Sequence, residues 1–162
     1  MSKILIISDT HQNHKLLDRV LSSNKDCDFL IHLGDEPDDL EYHPEHTANM
    51  QIFSVYGLYH RNWSPKTAVL CFSIDGVDFM ITHAMDYLNE TKKNCIHCFG
   101  HTHHRYFSQE ENKVFLNPGH LKKETDRNEI AGYAVLDFAN GKTITYYDYS
   151  GNPLFSHKIK AW

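Results

Sequence analysis

The chain lacks any long apolar run: nothing approaches the ~20 residues needed to span a bilayer, and the short stretch Ile4 to Ile7 gives way at once to polar residues. No membrane or targeting segment is therefore expected. Basic charge is not in excess either. The formal net charge is -5, and the scattered Lys and Arg make no stripe that would grip an extended nucleic-acid backbone. Cysteine is sparse: Cys27 and Cys71 stand alone, and Cys95 and Cys98 lie in an apolar run. That is the usage of a cytoplasmic protein with reduced thiols rather than of a disulfide scaffold. Cys95-Ile96-His97-Cys98 has half the donors of a structural zinc site, and no second Cys pair completes it. A Gly-x-Ser-x-Gly elbow and a P-loop are both absent, which removes the visible machinery for acyl-enzyme and nucleoside-triphosphatase chemistry. No repeat, low-complexity tract or linker divides the chain.

What is present is the composition of an ordinary folded protein, 41% apolar and 23% charged over 162 residues, which predicts one domain spanning 1–162. Lys3 to Ser8 is a near-continuous apolar run, as in a parallel strand covered on both faces. After it, Asn13 is suited to cap a helix whose Leu16, Leu17, Val20 and Leu21 form one stripe. Phe29 to Leu33 and Met50 to Val55 read as two further buried strands, closed by Gly34-Asp35 and by Gly57. The acidic, histidine-bearing stretch between them, Glu36 to His46, is expected to form a short helix and a loop. Recurring strand, helix and strand favour an α/β sheet. From Thr67 the pattern changes to adjacent strands. Ala68 to Ile74 and Val77 to Thr82 flank an Asp75-Gly76 turn, a strong hairpin signal. Asn94 to Phe99, Arg105 to Gln109, Val114 to Leu116, Tyr133 to Phe138 and Thr143 to Tyr149 follow, the last two around Asn140-Gly141. The two halves should pack as two sheets with helices outside. The end of the chain, Phe155 to Trp162, reads either as an added edge strand or as a partner surface.

The compositional oddity is 13 histidines, since His is the commonest metal ligand. Their placement is more telling than their number. Four strand ends finish in a metal-ligand type: Asp9 and His11, Asp35, His83, and His101 and His103. In an open α/β sheet the crevice beyond the carboxyl ends of the strands gathers residues that are far apart in sequence. Side chains at i and i+2 of an extended segment share a face, so Asp9 with His11, and His101 with His103, are each suited to hold one ion jointly. Asp35, with two carboxylate oxygens, is suited to bridge two cations, and mixed imidazole and carboxylate donors favour manganese, iron or zinc over calcium. A two-metal site is the reading these residues support.

Ser8-Asp9-Thr10-His11, Gly34-Asp35, Ile81-Thr82-His83, Gly100-His101-Thr102-His103 and Asn117-Pro118-Gly119 stand in an order that resembles the calcineurin-like metallophosphoesterases. Within that superfamily the chain is most similar to the small bacterial and archaeal phosphodiesterases, from Lys3 to at least Asp137. The resemblance implies an α/β fold of the α+β kind, a four-layer αββα sandwich of two mixed β-sheets flanked by helices. It implies two divalent ions, Mn2+ foremost, with Zn2+, Fe2+, Ni2+ and Mg2+ as alternatives. Asp9, His11, Asp35 and His103 would hold one, and Asp35, His83 and His101 the other. The activity implied is hydrolysis of a small phosphodiester, with phosphomonoesters next, by water that the ions activate.

By the same resemblance, the loop holding Asn117, Gly119 and His120 would approach the substrate. His60 is the nearest candidate for the acid that protonates the leaving group. One departure stands out: Leu58 occupies the place of a family Asn ligand, so the second ion keeps fewer protein ligands, takes water, or recruits His60 or Asn62. Ala84-Met85-Asp86 also replaces a Gly- and His-rich phrase. The rival reading is a non-catalytic scaffold, since some superfamily members, such as the retromer subunit, keep the fold while losing ligands. No membrane or extended nucleic-acid partner is expected, and a homo-oligomer is left open.

Overall fold

The computed structural model describes residues 1–160. Its first sheet begins with β1 (Lys3–Ile7), whose residues from Ile4 onward are fully buried, as the unbroken apolar run requires of a central strand. Parallel to β1 lie β2 (Phe29–His32) and then β3 (Gln51–Ser54). The crossover between β1 and β2 is α1 (His14–Ser23). Asn13 caps it, its side-chain oxygen accepting from the Leu16 amide at 3.2 Å. Leu16, Leu17, Val20 and Leu21 face the sheet and form a core with Leu5, Ile7, Leu30, Tyr133 and Val135. Between β2 and β3 the acidic stretch winds into a 3-10 turn, Pro37–Tyr42, and one short helix, α2 (Pro44–Thr47).

The second sheet holds β4 (Val69–Ile74), β5 (Val77–Thr82), β6 (Cys95–Cys98), β7 (Arg105–Glu110) and β8 (Lys113–Pro118), in the order β4-β5-β6-β8-β7. Of these, β5, β6 and β8 run parallel, with β4 and β7 antiparallel at the edges. The β4–β5 hairpin turns on Asp75 and Gly76, both at positive φ (49° and 76°), as its two-residue turn demands. A small ribbon follows, β9 (Thr125–Asp126) with β10 (Glu129–Ile130). The chain then returns to the first sheet as β11 (Gly132–Asp137), β12 (Thr143–Asp148) and β13 (Pro153–Lys158), giving the order β13-β12-β11-β1-β2-β3. The sheets meet face to face over Ile6, Ile31, Phe79, Ile81, Ile96, Leu116, Leu136 and Tyr146.

Two mixed sheets thus form as expected, and the helices lie mainly on one side. Outside the second sheet, among the described residues, lie a 3-10 turn, Met85–Tyr87, and the stretch that follows it: the Lys92 amide donates to His97 Nε2, and Lys113 Nζ donates to Thr91 Oγ1. The β11–β12 turn carries its left-handed residues at Gly141 and Lys142, one position later than the Asn140-Gly141 reading, because the Asp137 carboxylate holds the Asn140 amide. At the chain's end β13 pairs with β12, which makes 153–158 an edge strand. Ala161 and Trp162, the last residues of the stretch read as edge strand or partner surface, lie outside the described residues. No helix among the described residues is long and apolar enough to cross a membrane.

Candidate metal centre

The carboxyl ends of β1 and β2 in one sheet, and of β5 and β6 in the other, open on the same cleft. Backbone hydrogen bonds tie these ends together: the Asp9 amide donates to Gly34 O, Thr10 to Asp35 O, and Gly100 to His83 O. Five of the six candidate ligands sit in the left-handed region: Asp9 (φ 55°), His11 (46°), Asp35 (57°), His101 (66°) and His103 (64°). Each such residue costs roughly 1–2 kcal/mol and persists only where its surroundings hold it. Close packing does the holding. A Cβ at Gly57 would stand 1.9 Å from Asp35 Oδ1, and one at Gly100 would stand 2.0 Å from Ser8 Oγ.

The donor atoms converge. Ligand atoms of Asp9, His11, Asp35 and His103 all lie within 4.8 Å of one another. His103 Nε2 is 3.1 Å from Asp9 Oδ1, and His11 Nε2 is 3.3 Å from Asp35 Oδ2. The other Asp35 oxygen faces the second group, 3.3 Å from His83 Nε2. The His101 ring stands edge-on to His83, centroids 5.1 Å apart, and its amide holds Asp9 Oδ2. Donors held ~2.0–2.1 Å from a tetrahedral ion stand roughly 3.3–3.4 Å apart, which matches these spacings.

Protonation states sharpen the case. His103 Nδ1 donates to Asp126 Oδ2 at 2.5 Å, and His83 Nδ1 donates to the Leu33 carbonyl at 2.8 Å. With Nδ1 engaged in each ring, Nε2 is the atom left to face the cleft, and each points at a carboxylate oxygen. Burial opposes a charge on His83, but Asp35 and Asp9 raise its pKa, so this pocket favours a positive charge between ring and carboxylate, which a proton or a metal ion supplies. Asp9 Oδ1 and His11 Nε2 are in fact buried with no hydrogen-bond partner, although buried polar atoms are nearly always paired. These orphaned donors fit a divalent ion. Burial tends to raise the Asp35 pKa, but His83 and His11 outweigh it and hold the carboxyl at about 2, ionised at neutral pH. Burial lowers the pKa of His11 despite Asp35 and Asp9, so its ring stays neutral and available as a donor.

Around the centre lie two cavities. One, of about 340 Å³, is lined by Asp35, Leu58, Tyr59, His83, Ala84, Asp86, Tyr87 and His101. The other, of about 170 Å³, is lined by His11, Asp35, Glu36, Tyr59 and His60. The Leu58 side chain is half exposed on the cavity wall. His60 accepts from the Asn62 amide at Nδ1, so its Nε2 proton is directed to Asp38 Oδ2 at 3.0 Å, and the ring stacks on Tyr56.

The residues read as substrate contacts take a different place, beneath the ligand loop and outside both cavity linings. Asn117 is fully buried, its amide donating to Gly100 O and Thr102 Oγ1 while its oxygen accepts from Gly119. His120, also buried, has Nε2 on Glu129 O and Nδ1 on the Lys122 amide. Gly119 turns the chain between them at φ 93°. The Asn117 amide holds the 100–103 loop, and the His120 ring ties the backbone at Lys122 to that at Glu129.

His14, His43 and His46 gather near Asp18, and His104 pairs with Glu129. Sequence reading overlooked Asp126, and also the buried chain His32, Thr10 and Asp39. There Thr10 Oγ1 meets His32 Nε2 at 3.2 Å and donates to Asp39 Oδ2 at 2.6 Å.

A family profile described as the calcineurin-like phosphoesterase superfamily domain matches residues 2–141. Among solved structures, similar ones include Yfce, a phosphoesterase from E. coli, at 18% identity and a TM-score of 0.77, covering 98% of this chain and 100% of that one. A single mutant of Vps29 from Entamoeba histolytica superposes at a TM-score of 0.71 with 15% identity, covering 98% and 99%. An archaeal phosphodiesterase does so at 0.68 with 21% identity, covering 88% and 96%. These likenesses establish a shared fold. No curated protein sequence matches the chain significantly.

Proposed function

Because the chain belongs to the calcineurin-like phosphoesterase superfamily, we propose that it is a metal-dependent hydrolase of small phosphodiesters. The observation that carries this is the pair of buried, unpartnered donors, Asp9 Oδ1 and His11 Nε2, aimed into a cleft where imidazole Nε2 atoms face carboxylates. Asp9, His11, Asp35 and His103 would hold one divalent ion, and Asp35, His83 and His101 a second. When bound, such ions neutralise phosphoryl charge and acidify water for attack on phosphorus. The donor set of nitrogen and oxygen suits manganese.

The chain's own residues do the positioning. Asp126 and the Leu33 carbonyl fix His103 and His83 in the tautomer that leaves Nε2 free. Asp35 presents one oxygen to each ligand group. His60, its Nε2 proton directed to Asp38 at the cavity wall, would protonate the departing alkoxide. With Leu58 on the cavity wall, a second ion would have Asp35, His83 and His101 as its protein ligands. A scaffold reading draws on that substitution and on Tyr59, 95% exposed at the rim. Metal analysis together with hydrolysis of bis(p-nitrophenyl) phosphate in Mn2+ separates the two. Turnover in the wild type that is lost in His103→Ala supports hydrolysis; bound metal with no turnover on any phosphoester supports the scaffold.

A further inference from the structure

The two cavities beside the metal centre share a wall, Tyr59, and carry two carboxylates that the ligand set does not use, Glu36 in one and Asp86 in the other. Neither has a Lys or Arg in its lining. The remaining surfaces are ring or apolar: His60 stacked on Tyr56, Tyr87 beside Trp63, and Leu58. Asp38, on His60, adds a third acidic group to this rim. Three cations act on the centre without entering either lining. Lys122 acts on His11 and Asp126, Lys123 pairs with Asp126, and Arg127 donates to the carbonyls of His101 and Thr102. The cavity linings are thus acidic and ring-bearing, while these cations act on Asp126, His11 and two backbone carbonyls.

Charge balance restricts what such a site accepts. Two divalent ions against the Asp9 and Asp35 carboxylates leave an excess of two positive charges, enough for one phosphodiester anion and the attacking hydroxide. A further anionic group would lie against Glu36 and Asp86 with no cation in the lining to balance it. A cationic group, by contrast, would find carboxylates and ring faces together, the pairing by which proteins hold ammonium ligands.

On the phosphodiesterase reading above, we infer that the alcohol half of the substrate carries a positively charged amine, held between Tyr59, Tyr87, Glu36 and Asp86. The substrate class is a zwitterionic phosphodiester. Hydrolysis transfers OH from water to phosphorus and the remaining proton to the departing oxygen, so no other reactant is needed.

The test compares p-nitrophenyl phosphorylcholine with its uncharged isostere, in which carbon replaces the ammonium nitrogen, on the Mn2+-loaded protein. The expected kcat/KM ratio is about tenfold in favour of the cation, the size of one ring–cation contact and one screened charge pair together. In Glu36→Gln/Asp86→Asn the ratio falls to about threefold, the share of the ring–cation contact alone, and it falls to about one when Tyr59→Leu and Tyr87→Leu are added. A second readout is independent of turnover: titration of metal-free protein with choline chloride, followed by tyrosine and tryptophan fluorescence, saturates in the wild type and not in the double variant. Turnover of both esters at equal rates, or preference for the neutral one, overturns the inference and leaves hydrolysis standing. Absence of turnover on every diester defeats the hydrolase reading instead, and the choline titration then decides whether the cation subsite exists. No saturable change there overturns it.

Discussion

Asp126→Asn tests how the chain prepares a ligand. The Asp126 carboxylate accepts from His103 Nδ1 at 2.5 Å, and the far nitrogen of that ring stands 3.1 Å from Asp9 Oδ1. Asparagine keeps the shape and an acceptor oxygen but removes the charge that makes the imidazole a stronger donor to a cation. The His103 contact holds the Asp126 carboxyl well below the usual carboxylate range, so the charge is present at neutral pH. The exposed Lys123 partner at 3.3 Å contributes little. Loss of an outer carboxylate behind a ligating histidine typically weakens metal binding about 10–100-fold, or about 1.4–2.7 kcal/mol. Because His103 serves only one ligand group, one of two binding events should weaken while the other holds. Competition with a chelator, followed by calorimetry for each ion, measures this, and thermal unfolding of the metal-free variant checks that the fold is intact. Both affinities within twofold of wild type, in a folded variant, would refute the assigned role.

Other consequences follow from the same geometry. Gly57→Ala drives a Cβ onto Asp35 Oδ1; overpacking of this kind costs about 1–3 kcal/mol, so urea unfolding should shift by that amount and metal binding should weaken with it. Leu58→Asn restores a donor on the cavity wall and should tighten the weaker ion; an unchanged dissociation constant in calorimetry would mean water or a neighbour already serves there. His32 is fully buried, and burial lowers its pKa to about 4, despite the pull of Asp9 and Asp39. The unfolded chain, titrating near 6.5, therefore binds this proton first as pH falls. Its contribution is whole above pH ~6.5 and is lost between there and pH ~4, about 3 kcal/mol in all. Urea midpoints of metal-free protein across that window should drop more steeply in wild type than in His32→Gln.

The parts of this molecule that announce themselves in sequence are those where one residue type has one physical use. Apolar runs such as Ile4 to Ile7 could only be covered strands, and Asp75-Gly76 could only turn a hairpin. The six candidate ligands were legible because each follows a strand, and the topology brings parallel strand ends together. Asp126 was not, because it lies on a two-residue ribbon strand with no periodicity and acts through a ring 23 positions away. His32 looked like part of an apolar strand, and its partnership with Thr10 and Asp39 depends on a loop whose course no local pattern dictates. The burial of Asn117 and His120 was hidden for the opposite reason. Polar residues in a Pro-Gly turn suggest a surface, whereas here they satisfy backbone groups behind the ligand loop. The thin outer layer on the second sheet was equally invisible, since hydrogen bonds from Lys92 and Lys113 replace a helix there.

Asp35 stands at the centre of the account, one oxygen toward His11 and the other toward His83. Electron paramagnetic resonance of the protein titrated with Mn2+ tests that position most directly. The account predicts two ions per chain with an exchange-coupled signal, and loss of the coupling together with phosphodiester hydrolysis in Asp35→Asn. A single uncoupled ion, or a coupled pair that survives in Asp35→Asn, would contradict it.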